Sequence, residues 1–143
     1  MINWLSNLFS STKAASQMVE VRYQTNDPFT PDLVRTVNVP VASADHPPFA
    51  VQGWNGRTIS EMQKQAAQVH TALYFTRSAV KKYLKQPLER WAATNVLIAV
   101  PRAGRQFNAY YDRTALKFFY DVHPTTGKIV FSCESNDVVA HEA

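Results

Sequence analysis

Between residues 58 and 87, apolar side chains recur at alternating gaps of three and four: Ile59, Met62, Ala66, Val69, Leu73, Thr76, Val80 and Tyr83. That spacing keeps one face of an α-helix apolar from end to end. Thr58-Ile59-Ser60-Glu61 has the spacing of a capping box, so the helix is predicted to open at Thr58 and to end before Pro87. At 1.5 Å per residue it would run roughly 40 Å. A rod with a single apolar stripe gains its stability by packing that stripe on something else, so the rest of the chain must supply a covering surface. Lys81, Lys82 and Lys85 fall in its last turns. There cations suit the negative end of the helix dipole, and a solvated face accounts for them.

The covering surface is predicted to be β. Met18-Val19-Glu20-Val21-Arg22-Tyr23 and Val34-Arg35-Thr36-Val37-Asn38-Val39 alternate with period two, as half-buried strands do. Asn26-Asp27-Pro28 and Thr30-Pro31-Asp32 supply turn chemistry between them, and Asp45-His46-Pro47-Pro48 marks a loop. Beyond the helix, Asn95-Val96-Leu97-Ile98-Ala99-Val100 is an unbroken apolar run closed by Pro101, which reads as a fully buried strand. Ala115 to Tyr120 is strand-like and aromatic. The stretch from His123 to Lys128 turns the chain back into Ile129-Val130-Phe131-Ser132. Ser135, Asn136 and Asp137 crowd an N-cap position, and a second helix begins at Val138. The fold class is therefore α+β, with one long amphipathic helix packed on a small, mostly antiparallel sheet. Residues 1–50 read as an N-terminal leader and β segment, and 51–143 as the main lobe.

With 143 residues, 45% hydrophobic and 18% charged, the chain has the makeup of a soluble globular domain and not of a disordered tail. Its net charge of +4 is too mild to require a nucleic-acid partner. Cys133 is the only cysteine, which excludes an internal disulfide and a cysteine zinc cage within one chain. A buried, inert thiol is expected. No apolar run approaches a membrane span. The opening, Met1 to Phe9, has no basic residue before its apolar part, so no signal peptide is evident and a cytoplasmic location is the default. Trp4, Leu5, Leu8 and Phe9 share a helical face that is expected to dock on the domain itself.

The chemistry-bearing residues gather late. Gln68-Val69-His70-Thr71-Ala72-Leu73-Tyr74 lies in the long helix, Asn108-Ala109-Tyr110-Tyr111-Asp112 follows the buried strand, and the chain reaches Asp137-Val138-Val139-Ala140-His141-Glu142 after the paired strands. In kind, order and approximate separation, these segments resemble the N-terminal half of the catalytic domain of thermolysin-like zinc metallopeptidases. The resemblance spans about residues 58 to 143 and implies a zincin-like N-terminal lobe. It implies that His141 is a zinc ligand and that Glu142 is the general base that takes a proton from a zinc-bound water attacking a peptide bond. It further implies that Asn108 and Ala109 lie on an exposed edge strand to which the substrate backbone adds, and that Tyr110 borders a side-chain subsite.

Two histidines four apart on one helix face hold such a zinc ion, and the second would stand at position 145. The sequence thus reads as a fragment that stops inside the motif, binds no zinc alone and is inactive, with self-association expected through its exposed lobe interface. His46, His70 and His123 have no ligand spacing among them. Two other readings stand beside the peptidase: a noncatalytic module binding extended peptides along the segment from Asn108 to Tyr111, and a weaker nucleic-acid surface using Lys81, Lys82, Lys85, Arg102 and Arg105.

Overall fold

A computed structural model describes residues 17–25, 34–43, 48–85, 91 and 93–143. The amphipathic opening, the turn residues 26–32, the loop at 45–47 and Pro87 lie outside the described residues. The strands are β1 (Met18–Gln24), β2 (Val34–Pro40), β3 (Phe49–Val51), β4 (Leu97–Val100), β5 (Ala109–Tyr111), β6 (Ala115–Phe118), β7 (Tyr120–Val122) and β8 (Ile129–Phe131). The helices are α1 (Glu61–Leu84) and α2 (Asn136–Glu142), the second preceded by a single 3-10 turn at Ser132–Glu134.

The architecture is α+β. β1 and β2 form an antiparallel hairpin in which Val21, Tyr23 and Val39 are buried while Glu20 and Arg22 face out, as the period of two requires. A four-stranded sheet runs in the order β3-β4-β6-β5. β4 lies parallel to both β3 and β6, which explains its continuous apolar run, and β5 closes one edge antiparallel to β6. β7 and β8 make a separate antiparallel pair. Three of the five strand pairs among the described residues are thus antiparallel, and the central sheet is mixed. The hairpin shares one apolar cluster with Val51, Leu73 and Leu116, and β3 runs across residue 50.

The long helix differs from its predicted pattern in two ways. Its N-cap is Ser60, whose hydroxyl accepts from the Gln63 N–H at 3.1 Å while Gln63 Oε1 accepts from the Ser60 N–H at 3.1 Å. The capping box therefore sits two residues beyond the one predicted at Thr58, and Glu61 pairs instead with Lys64 at 2.8 Å. Burial is also not a stripe. All nine residues from Gln65 to Leu73 are buried, whereas Ile59, Met62, Val80 and Tyr83 are exposed. The middle of α1 is enclosed by the hairpin, by β3 and by the 132–134 turn with α2, and its two ends project.

Enclosure puts polar side chains inside, and each needs partners. The Gln68 amide donates to the Gln24 carbonyl at 2.8 Å and accepts from the Gln24 N–H at 2.9 Å, docking the end of β1 on the helix. Gln65 donates to Glu134 at 2.8 Å and accepts from Arg102 Nε at 2.6 Å. His70 lies between Trp54, stacked at 4.9 Å, and Phe49 at 5.1 Å, with Nε2 at 2.7 Å from the Pro40 carbonyl. A carbonyl only accepts, so Nε2 carries the proton.

Burial pushes the His70 imidazole down to about 4 from 6.5, against the opposing pull of the Pro40 carbonyl. Between those values the unfolded chain binds a proton that the native chain does not, so stability falls as pH drops from 6.5 towards 4. Urea denaturation at pH 7 and pH 5 should show a loss of about 2 kcal/mol from this group. A His70→Phe variant should lose that component of the pH dependence.

Candidate functional site

β5 is an edge strand, and its outward face can be read from its ladder. The Phe119 N–H donates to the Asn108 carbonyl at 3.2 Å and the Asp112 N–H to the Ala115 carbonyl at 3.3 Å. Antiparallel pairs alternate, so Tyr110 and Lys117 form the hydrogen-bonded pair between them, and the backbones of Ala109 and Tyr111 point away from the sheet. The outward N–H of Ala109 is held at 2.9 Å by Asn108 Oδ1. The Ala109 carbonyl and the Tyr111 N–H and carbonyl form the free edge.

Beyond Phe118 the chain leaves β6. The Phe119 N–H is also within 3.0 Å of Ser132 Oγ, and its ring turns in to stack on Tyr110 at 5.2 Å. That turn separates β6 from β7, so the aromatic run predicted as one strand is divided between two sheets. The chain returns through β8 and the 132–134 turn to α2, whose N-cap Ser135 accepts from the Val138 N–H at 3.4 Å. Val139 is fully buried and fixes which face of α2 meets the core.

A cleft of ≈ 640 Å³ opens between the β5 edge and α2. Asn108 and Ala109 form one wall and His141 and Glu142 the other, with Phe119, Phe131 and Val138 between them. His141 is exposed and Glu142 half-buried. Four of the five sequence-predicted site residues therefore share one cavity. Tyr110 stands behind Phe119 and does not line it.

Sequence reasoning passed over the aromatic walls. Phe119 and Phe131 read as ordinary strand residues, and only their density near the Asn108 segment hinted at a cavity. Arg102 lies over the Phe131 ring at 4.8 Å.

Among the described residues, no three His, Cys, Asp or Glu side chains converge as a metal would require. His123 Nδ1 caps its own turn, accepting from the Thr125 and Thr126 N–H groups at 3.2 Å. His70 is a core residue, and His46 lies outside the described residues. Tyr111 is half-buried, and its hydroxyl finds no hydrogen-bond partner among the described residues. No described helix is long and apolar enough to cross a membrane.

Cys133, in the 3-10 turn behind the cleft, is fully buried. Burial, and then the charge of Glu134, push its thiol up to about 12. At pH 8 a thiol reagent should label Cys133 at least about a hundredfold more slowly in the native chain than in urea, because the thiolate is the nucleophile. Fast native labelling would contradict the burial.

Comparison of the chain with protein-family models, curated proteins and solved structures yields no match.

Proposed function

We propose that this chain is the substrate-strand lobe of a zinc-dependent peptidase, in which an extended peptide lies along β5 and is carried past His141 and Glu142. The observation that carries the reading is the cleft that the Ala109 end of the free edge of β5 shares with those two side chains. Main-chain hydrogen bonds to the Ala109 carbonyl and the Tyr111 N–H would give affinity whatever the peptide sequence, and the aromatic walls would take an apolar side chain. Asn108 already occupies the Ala109 N–H, so a bound peptide meets that side chain first.

Zinc is the weaker half of the fit. A catalytic zinc takes three protein ligands and keeps one position open; Asp137, His141 and Glu142 all line this cleft, but among the described residues no three such side chains converge as a metal would require. They do not make a metal site by themselves. Two further ligands would have to come from outside the described residues, and the role of Glu142 as base depends on them. What the chain's own residues do is bind and orient the peptide.

The same edge would serve a noncatalytic peptide-binding module, which differs only in needing no metal. The nucleic-acid reading is weaker because two of its cations are engaged within the fold. Arg102 bonds Gln65, and Arg105 pairs with Asp121 at 3.0 Å.

Titration with an extended apolar peptide, followed by NMR, should perturb the amides from Ala109 to Tyr111 together with His141. N-methylation at alternate peptide amides should weaken binding at least about tenfold in one parity and little in the other, because only every second amide faces the edge. Binding that ignores N-methylation, or that falls steeply with salt, would remove the edge-strand reading. With equimolar zinc the 143-residue chain should cleave no peptide; cleavage abolished by Glu142→Gln would show that the chain is an active enzyme as it stands.

A further inference from the structure

We propose that the N-terminal hairpin is a clamp on α2, with Tyr23 as the positioning residue that holds the helix presenting His141 and Glu142 to the cleft. The consequence for peptide chemistry rests on the reading above, whereas the clamp does not. α2 has seven residues, too few to be stable in water alone. Its first residue, Asn136, is held from the far end of the chain. The Tyr23 hydroxyl donates to Asn136 Oδ1, and Asn136 Nδ2 lies 3.4 Å from the Thr25 carbonyl.

Tyr23 is itself closely packed. It is 5% exposed, its ring packs on Phe75 of α1 at 5.6 Å, and the neighbouring Gln24 backbone is doubly bonded to Gln68. Packing alone would be met by phenylalanine. A buried hydroxyl is costly unless it has a partner, and Asn136 is that partner. Burial first, and the charge of Asp137 second, push the phenol up to about 12, so it remains a donor at neutral pH.

The lever is short and well placed. Asn136 precedes His141 by five positions, roughly 7 Å along the helix axis, so a tilt of roughly 10° about the clamped end would move His141 by about 1 Å. Displacements of that size are large on the scale that positions reacting groups.

Amide hydrogen exchange on the full chain tests the clamp. In Tyr23→Phe, the amides from Val139 to Ala143 should exchange roughly 5- to 10-fold faster while Ala99 and Leu116 in the central sheet are unchanged, as loss of one buried hydrogen bond at a local opening predicts. The His141 ring signals should shift while the Trp54 indole signal stays. Asn136→Ala should behave alike, and the double variant should exchange no faster than Asn136→Ala alone. Unchanged exchange in α2, an equal rise in the central sheet, or additive effects would overturn the clamp. Exchange reports α2 directly, so these outcomes hold even where the chain binds no peptide, a result that would count against the peptidase reading alone.

Discussion

The structure depends on the enclosure of the middle of α1. Nine consecutive residues, Gln65 to Leu73, lie inside the protein, and three of the polar ones, Gln65, Gln68 and His70, are bonded to groups from distant parts of the chain, while the Thr71 hydroxyl and His70 Nδ1 are buried without a partner among the described residues. Gln68 takes both backbone groups of Gln24, His70 takes the Pro40 carbonyl, and Gln65 bridges Glu134 and Arg102. These bonds say where each surrounding element must sit. An all-apolar segment would bury as well but would leave the hairpin and the 132–134 turn free to slide, since hydrophobic contact has no direction.

From that axis the cleft follows. Gln65 holds Glu134 and Arg102, Arg102 covers Phe131, and Phe131 is part of the wall between β5 and α2. Gln68 holds the end of β1, which carries Tyr23 to Asn136 at the start of α2. Two glutamines three apart on one helix thus act on the same cavity from two sides. Val139 is the apolar counterpart, fixing the rotation of α2. The exposed ends of α1, with Tyr83 and Leu84 at one and Met62 at the other, contribute little to this arrangement.

Periodicity made much of the frame legible. The hairpin strands, the buried strand at Leu97–Val100 and the return at His123–Lys128 all follow from alternation and turn chemistry, and the extent of α1 follows from its spacing. What the pattern concealed has physical causes. Gln65, Gln68, His70 and Arg77 lie off the apolar stripe and are nevertheless buried, because a periodicity rule assumes one covered face while α1 is covered on three. Thr58 and Ser60 both start capping-box patterns, and Ser60 is used because Gln63 reaches back to two N–H groups, those of Ile59 and Ser60. Phe119 breaks the aromatic strand because its N–H is shared between Asn108 and Ser132, a contact no local pattern reveals. At the site, the pairing of Asn108 and Ala109 with His141 and Glu142 came from family resemblance and not from spacing. The walls at Phe119 and Phe131 emerge only when the sheets are assembled.

The peptidase and the peptide-binding module alike require the cavity between β5 and α2 to take an extended peptide main chain. Intermolecular nuclear Overhauser contacts between the isotope-labelled chain and an unlabelled apolar peptide test it most directly. Contacts are expected from peptide α-protons to the Tyr111 amide, and from a peptide side chain to Phe131 and Val138. Contacts placed instead in the second cavity of ≈ 520 Å³, against Arg22, Val34 and Lys64, would contradict it.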